Sequence, residues 1–288
     1  MKQLLLLVLC ITFLSSLTIQ AQEIELPKYL TQAEAEKMAS YIKEAKPLPV
    51  NDAKLLASAK RTMGEWEEIQ ALAIAWSNSF KGIQLEIVKH AKEEAKVIIL
   101  CKNCESVKAE LTNAGIDYTS NVEFIPTDYN SLWIRDYGPN TVYTNDVDSL
   151  LIVDWIYNRP RPKDDVTPYT IAEFMNIPIL GTTDFPQDLV HTGGNFMADG
   201  MGIGFSSNLV LDENGSNNNW GQSNHSASDV DNIMNEFMGI DEYIKMTVLP
   251  YDSIHHIDMH MKLLDEETLL IGSYPQNVAD GPIIEANI

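Results

Sequence analysis

Three short segments hold the residues of this chain that could do chemistry together. They are residues 133–139, 191–200 and 256–258, and they include Asp136, Asp258 and His256. Two carboxylates from separate loops can hold a planar cation from both edges, and a guanidinium presents its N–H donors in a fixed fork. A histidine beside the same group can move protons to or from it. The three segments are therefore typical of a site for a guanidinium.

Each of these residues also has a structural interpretation when it is taken alone. Asp136 follows Arg135 and could be a turn residue paired with it, and His256 could be a histidine of the core. The glycines before Asn195 could form a tight hairpin, and Trp133 could be a plain core residue. Only the combination of the three segments favours a shared site. If residues 256–258 form a strand, His256 and Asp258 project from the same face.

The last of the three segments could also be interpreted as part of a metal site. His255, His256, Asp258 and His260 are four potential ligands in a row. Three of them would share one strand face at very close spacing, which is sterically awkward for a single ion. We therefore predict no metal and no cofactor.

The cysteines are the part of the sequence that does not fit the site. The carbon of a guanidinium is a poor electrophile and is best attacked by a thiolate. The chain has three cysteines, Cys10, Cys101 and Cys104, and all of them precede the three segments. Cys101 and Cys104 are predicted to form a local disulfide or to remain unreactive, and neither is assigned as a nucleophile.

The first residues resemble a targeting signal rather than a part of the fold. Lys2 precedes a mostly apolar run, and small residues follow it up to Ala21. This pattern predicts a secretory signal peptide at residues 1–21, and hence an exported protein, periplasmic or secreted, with no membrane anchor after cleavage. The net charge of −21 argues against nucleic acid as a partner and favours a cationic substrate.

Short strands and helices interleave along the chain, which indicates an α/β architecture. Residues 22–62 are predicted to form a helical arm, with a helix start at Thr31, and the core begins at residue 63. The predicted strands are 69–76, 96–101, 122–126, 150–155, 246–249, 259–264 and 268–271. The predicted helices are 83–95, 105–114 and 227–238. Residues 212–219 are predicted to form a polar loop.

Taken together, residues 133–139, 192–200 and 256–258 resemble the agmatine deiminase and bacterial (Porphyromonas-type) peptidylarginine deiminase family of the guanidino-group-modifying superfamily. The resemblance extends from about Trp66 to the end of the chain, and residues 154–165 resemble the peptidylarginine deiminase branch. It implies a five-bladed α/β propeller, or pentein, of ββαβ units, which would occupy residues 63–288.

The resemblance also implies roles for individual residues. Asp136 and Asp258 would bind the guanidinium, and His256 would be the general acid and base. The other implied substrate-binding residues are Trp133 in the side-chain channel, Arg159 and Arg161 on the α-carboxylate of a C-terminal arginine, and Asn195 near the cleft.

The implied reaction is deimination of peptidyl arginine to citrulline and ammonia. Agmatine, the precursor in putrescine synthesis, or free arginine is the alternative substrate, and a guanidinium-binding protein without catalysis is the alternative class. The family's nucleophilic cysteine lies downstream of the His-x-Asp element, where this sequence has none. We therefore expect the propeller to be incomplete at its C-terminus and the 288-residue chain to be inactive.

Overall fold

The computed structural model describes residues 26–41, 52–216, 224–275 and 277–288. The predicted signal peptide and Cys10 lie outside the described residues. No helix within the described ranges is long and apolar enough to cross a membrane.

Strands and helices alternate along the described residues, as the sequence predicts. The strands are β1 (Lys60–Thr62), β2 (Ala71–Ala75), β3 (Lys96–Cys101), β4 (Val122–Pro126), β5 (Asn140–Thr144), β6 (Ser149–Tyr157), β7 (Ile179–Thr182), β8 (Val190–His191), β9 (Met197–Ala198), β10 (Ile203–Ser207), β11 (Glu242–Met246), β12 (Met261–Leu263) and β13 (Leu269–Ile271).

The α-helices are short, and most of them connect two strands. They are α1 (Gln32–Ala35), α2 (Met38–Tyr41), α3 (Ala53–Ala57), α4 (Lys81–Ala91), α5 (Cys104–Asn113), α6 (Ile134–Tyr137), α7 (Pro162–Asp165), α8 (Thr167–Met175), α9 (Leu209–Asn214), α10 (Ala227–Ile233) and α11 (Gly281–Asn287). A π-helical turn, Met234–Met238, continues α10, and 3-10 turns form at Gly193–Asn195 and Ile257–Met259.

The first sheet is the parallel set β2-β3-β4, which is built from near-continuous apolar runs. In β3, all residues after Lys96 are buried. Such runs are typical of parallel strands whose two faces are both covered. Helices α4 and α5 cover one face through Val88, Val107 and Leu111. The segment after β4 leads directly into the first part of the candidate site.

The second sheet has the order β1-β5-β6-β7, and β8 continues along the end of β6. Strand β6 is buried over most of its length and pairs antiparallel with β5 and parallel with β7. Val153 of this strand shares one core cluster with Phe196, from the segment that follows β8, and with Phe237 of the π-helical turn after α10. The arginines at positions 159 and 161 follow directly after this strand.

The remaining strands form two smaller sheets. Strands β9, β10 and β11 pair in the order β11-β10-β9, and β12 pairs with β13 as an antiparallel hairpin. Ile257 and Met261 pack against Met197, so that the two sheets share one apolar cluster. This cluster holds the turn that carries His256 against the turn that follows β8.

The structure corrects several sequence-based boundaries. Lys60–Thr62 is a strand, not the end of a helical arm, because it pairs antiparallel with β5. The strand predicted over residues 259–264 is shorter, since Ile257–Met259 is a 3-10 turn. The loop predicted over 212–219 begins as the end of helix α9. The strand predicted at residues 246–249 lies earlier, at Glu242–Met246. Helix α8 had no counterpart in the sequence analysis.

The predicted local disulfide is present. Cys101 ends β3 and Cys104 begins α5, and their sulfurs are bonded with a Cα–Cα distance of 5.1 Å. These two cysteines are therefore a structural link between a strand and the helix that covers it, and they are not free thiols.

The N-terminal arm, residues 26–41, lies against the second sheet. Its helix α1 begins at Thr31 as predicted, with a capping box in which Thr31 and Glu34 exchange hydrogen bonds. The Tyr41 hydroxyl donates to the Asp165 carboxylate at 2.5 Å. The arm is thus fixed at both ends close to α7.

Candidate functional site

The three segments selected from the sequence meet in the structure. Helix α6, which carries Asp136, contacts the Gly193–Asn195 turn, and that turn contacts the Ile257–Met259 turn. The Asp136 Oδ1 and His256 Nδ1 atoms lie 3.4 Å apart, and both side chains are buried. A carboxylate and an imidazole from residues 120 positions apart therefore form one polar cluster inside the fold.

The two glycines of the middle segment make this close approach possible. A Cβ atom on Gly194 would lie 2.3 Å from His256 Nδ1 and 2.9 Å from Asp136 Oδ1, and a Cβ on Gly193 would lie 2.1 Å from the Arg135 carbonyl oxygen. Only a residue without a side chain fits between these groups. The Gly-Gly pair is thus packed against the site, which differs from the hairpin interpretation.

His256 is held by the turn on which it lies. The preceding residue, His255, has a left-handed backbone with φ of 56°, and its carbonyl accepts a hydrogen bond from the Ser207 hydroxyl at 2.8 Å. A left-handed conformation is costly for a residue other than glycine, so the surrounding contacts must impose it. Among the described residues, His256 Nε2 has no hydrogen-bond partner. That nitrogen is therefore available to a bound molecule.

Asp258 lies on the same turn as His256 but is more exposed. Its Oδ2 is 3.8 Å from Arg135 Nε, and its side chain is 28 % exposed. The turn is 3-10, so the two residues do not share a face through strand alternation, as the sequence analysis assumed. They approach the site because a single tight turn carries both.

A salt-bridge network that the sequence analysis missed fixes the outer edge of the site. Glu65 pairs with both Arg135 and Lys262. Arg135 also donates to the Gly193 carbonyl at 3.2 Å and to the Phe196 carbonyl at 3.3 Å. Arg135 therefore ties helix α6 to the glycine turn. No local signal marks Glu65, because its partners lie 70 and 197 residues away.

Burial sets the protonation of the central pair. Burial, together with the nearby Asp258 carboxylate, raises the pKa of Asp136 to about 7. Burial also lowers the pKa of His256 to about 3, and the positive charges of Arg159 and Lys28 contribute to this shift. Both groups are therefore shifted toward their neutral forms. A cation that binds beside Asp136 would lower the pKa of that carboxyl group and favour its ionised form.

Asn195 supports the site from behind. It is fully buried, and its Oδ1 accepts the Ser207 N–H at 2.8 Å. Since the Ser207 hydroxyl binds the His255 carbonyl, Asn195 connects the glycine turn to the histidine turn. Among the described residues, its Nδ2 has no partner.

His191 belongs to the core rather than to the reactive cluster. It stacks on Trp155 with ring centroids 4.5 Å apart, and its Nε2 lies 2.8 Å from the Tyr243 hydroxyl. Burial lowers its pKa to about 3. A fully buried, neutral histidine with two satisfied nitrogens is a packing residue.

The two arginines after β6 have different surroundings. Arg161 is buried, and its Nε lies 2.6 Å from the Glu34 carboxylate of the N-terminal arm. It also donates to the Pro27 and Tyr29 carbonyls. Arg159 is buried as well, but its Nε has no partner among the described residues. Arg161 is thus bound to an internal carboxylate, although its Nη1, like the Arg159 Nε, has no hydrogen-bond partner among the described residues.

The N-terminal arm also contacts Trp133. The indole Nε1 donates to the Leu26 carbonyl at 3.1 Å, and the ring meets Phe80 edge-on. Next to Arg159, a cavity of about 470 Å³ opens between the arm and the core. Its walls include Tyr29, Leu30, Glu213 and His255. The arm therefore forms one side of the space next to the reactive cluster.

Over the described residues, no group of three or more His, Cys, Asp or Glu side chains is placed to hold a metal ion. The cluster of Asp136, Asp258 and His256 contains two carboxylates that could bind a cation.

The fit of Gly194 leads to the first prediction. We expect Gly194→Ala to lower the affinity for a guanidinium ligand at least tenfold and to destabilise the fold by about 1–3 kcal/mol, because the new methyl group separates Asp136 from His256. Calorimetric titration and thermal unfolding measure the two effects. The control is Gly82→Ala in helix α4, where a Cβ meets nothing within 4 Å. Equal affinities of the two variants would contradict the proposed contact.

Comparison with protein families and solved structures agrees with the geometry. The model of the Porphyromonas-type peptidyl-arginine deiminase family matches residues 61–282. Among curated proteins, a Lactococcus lactis protein provisionally named agmatine deiminase is 23 % identical over 195 residues, covering 64 % of this chain and 50 % of its own length. The chain spans about half the length of the curated relatives it matches.

Solved structures show the same α/β fold at low sequence identity. An agmatine deiminase from C. jejuni superimposes with a TM-score of 0.62 at 21 % identity, over 79 % of this chain and 68 % of the other. The agmatine deiminase of Enterococcus faecalis gives a TM-score of 0.66 at 15 % identity, over 84 % and 69 %. A Porphyromonas gingivalis structure, provisionally titled an arginine deiminase, gives 0.64 at 16 % identity, over 79 % and 70 %.

Proposed function

We propose a guanidinium-directed function for this chain, because it belongs to the Porphyromonas-type peptidyl-arginine deiminase family. The site binds the guanidinium of an arginine derivative between Asp136 and Asp258, and His256 moves the protons of a deimination. The observation that supports this most is the buried contact between Asp136 and His256, with Asp258 on the same turn as the histidine. A planar cation with N–H donors on its edges suits two carboxylates and a neutral imidazole.

The chemistry we propose uses His256 first as a base. Its Nε2 has no hydrogen-bond partner among the described residues, and in our proposal this nitrogen takes the proton of a cysteine thiol. The thiolate attacks the guanidinium carbon, the bond from that carbon to a terminal nitrogen breaks, and ammonia leaves with the proton from His256. Water, deprotonated by His256, then attacks the carbon, which releases citrulline and restores the thiol.

The thiol in this scheme does not come from the cysteines that the structure describes. Cys101 and Cys104 are joined in a disulfide beside β3. Cys10 lies in the segment that we propose is a signal peptide of an exported, periplasmic or secreted protein. We propose that residues 63–288 belong to a five-bladed propeller and that the nucleophile is a cysteine other than Cys101 and Cys104.

The proposed substrate is an arginine with a free α-carboxylate, as at the C-terminus of a peptide. Arg159 carries this proposal, because its guanidinium lines the cavity next to the reactive cluster and its buried Nε has no hydrogen-bond partner among the described residues. Arg161 pairs with the Glu34 carboxylate, and its Nη1, which has no partner among the described residues, is the donor it could add. Trp133 and the arm form the channel wall, and Asn195 positions the histidine turn.

Agmatine is the second candidate substrate. Curated relatives and solved neighbours carry agmatine deiminase names. Agmatine lacks a carboxylate, so a buried arginine next to its amino end would repel it. A protein that binds guanidinium without catalysis is the candidate of a different class, and it uses the same two aspartates.

An affinity comparison tests the substrate proposal. We expect Arg159→Ala to weaken binding of a dipeptide ending in arginine about 10- to 100-fold, because a charge-assisted contact with the carboxylate is lost. Agmatine binding should stay the same or improve. The control is Lys163→Ala, which removes the same charge from an exposed ion pair with Asp128. If Arg159→Ala weakens both ligands equally, the carboxylate role is wrong.

A further inference from the structure

Glu213 is a carboxylic acid that lines the cavity next to the site. It lies on helix α9, which is anchored firmly to the second sheet. The neighbouring Asn214 side chain accepts the Val190 N–H and donates to the Val190 carbonyl, both at 2.8 Å. Glu213 is therefore held in place by a buried backbone contact rather than by a flexible loop.

The contacts of Glu213 leave one of its oxygens unused. Its Oε1 accepts a hydrogen bond from Asn158 Nδ2 at 2.8 Å, while its Oε2 is buried without a partner among the described residues. Arg159, which lines the same cavity, also has a buried Nε without a partner there. Glu213 and Arg159, each with one buried polar atom that lacks a partner, therefore line the same cavity of about 470 Å³. Buried polar atoms without partners are uncommon and call for a ligand or water.

The surroundings favour the neutral form of this acid. Burial raises the pKa of Glu213 to about 8, although Arg159 and the hydrogen bond from Asn158 oppose that shift. Near neutral pH the group therefore keeps its proton. Because Oε1 accepts from Asn158, the proton belongs on Oε2, which makes Oε2 a buried hydroxyl donor without an acceptor among the described residues, on a side chain that lines the cavity.

The neutral Glu213 acid and the positive Arg159 guanidinium favour some groups on the α-carbon of the substrate over others. Arg159 attracts the α-carboxylate, which places the α-nitrogen in the same cavity. If that nitrogen is acylated, its carbonyl oxygen can accept from Glu213. If it is a free ammonium, it offers only donors and a positive charge, and it meets a hydroxyl donor and a guanidinium.

We propose that Glu213 determines specificity by donating a hydrogen bond to the acyl carbonyl on the α-nitrogen of the arginine, so that the site distinguishes a peptidyl arginine from free arginine. This inference rests on the function proposed above, and it adds the group on the α-nitrogen to what the site recognises. The substrate class is an arginine that is acylated at its nitrogen and free at its carboxylate.

The test compares two ligands, Nα-acetyl-L-arginine and L-arginine, by calorimetric titration of the 288-residue chain. The wild-type chain should bind the acetylated ligand about 3- to 10-fold more tightly, since one neutral hydrogen bond separates the two. Glu213→Gln keeps a donor at the same place and should retain the preference within about twofold, whereas Glu213→Ala should abolish it. The control is Glu173→Gln, which alters an exposed glutamate on helix α8 that does not line the cavity.

The pH dependence separates a neutral acid from an ionised one. Arg159, Asp212, His255 and Tyr29 are the charged or titratable groups near Glu213 in the cavity, and they are the same in the wild type and in Glu213→Gln. As the pH rises through about 8, the wild type should lose its preference while Glu213→Gln keeps it.

Tighter binding of L-arginine by the wild type would contradict the inference, because it would mean that an ionised Glu213 binds the ammonium. An unchanged preference in Glu213→Ala would contradict the inference alone and leave the proposed function in place. If neither ligand binds the wild-type chain, the proposed function fails together with the inference.

Discussion

Replacing Asp136 by asparagine is expected to lower the affinity for Nα-acetyl-L-arginine more than about 100-fold and, at the same time, to stabilise the chain above neutral pH. The loss follows from a buried guanidinium that is deprived of one charged partner, which costs about 3–5 kcal/mol. Asp258→Asn should have a smaller effect, because that side chain is partly exposed and its charge is screened by solvent.

The gain in stability follows from the pKa of Asp136. The unfolded carboxyl has the ordinary value of 3.8, and burial raises the folded value to about 7. Between these two values the folded chain holds a proton that the unfolded chain has released, so Asp136 costs stability as the pH rises through that window. Asparagine has no such cost, and the expected gain at about pH 8 is on the order of a few kcal/mol.

Thermal unfolding and calorimetric titration of the same sample therefore separate an effect on stability from an effect on ligand affinity. A stabilised Asp136→Asn variant that no longer binds the ligand supports a functional carboxylate. Asp128→Asn, in an exposed ion pair, is the matched control. In the wild type, affinity should rise with pH through about 7, as Asp136 ionises. Loss of stability together with binding would instead make Asp136 a structural residue.

The second large effect concerns turnover. The 288-residue chain is expected to release no citrulline or ammonia from arginine peptides, although it binds them. Water is a weak nucleophile toward a resonance-stabilised cation, and the covalent route needs a thiolate. Of the cysteines in the chain, the two that the structure describes are bonded to each other. A longer form that also carries a cysteine nucleophile should show turnover.

A thiol-blocking reagent provides the control for this prediction. The longer form should lose its activity on treatment, whereas arginine binding by the 288-residue chain should be unaffected. Citrulline formation by the 288-residue chain that persists after blocking would contradict the assigned nucleophile. It would also indicate that His256 and the two aspartates activate water directly.

The sequence indicates which segments meet at the site. Asp136 and His256 lie in segments whose residue types favour a shared site, and the fold places the two side chains in contact. The apolar runs also predicted β3 and β4 at their observed boundaries. Such predictions succeed where the signal is local, because periodicity and glycine turns are properties of a few adjacent residues.

Other parts of the site depend on contacts between distant positions. Nothing near Glu34 indicates that it binds Arg161 across 127 residues, and nothing near Glu65 indicates its pairing with Arg135. Glu213 is an ordinary acidic residue until the fold places it next to Asn158 and Arg159. These roles come from tertiary packing, which a single sequence does not reveal. The 3-10 turn at His256 was missed for a similar reason, since the turn is fixed by contacts with Ser207 and the glycine segment.

A crystal structure of the 288-residue chain with Nα-acetyl-L-arginine tests the central claim most directly. The account predicts that the guanidinium lies between the Asp136 and Asp258 carboxylates, with hydrogen bonds of about 2.7–3.0 Å to both. The guanidinium carbon should face His256 Nε2, and the α-carboxylate should contact Arg159. A ligand whose guanidinium lies elsewhere, with Asp136 and His256 still in contact only with each other, would contradict the account.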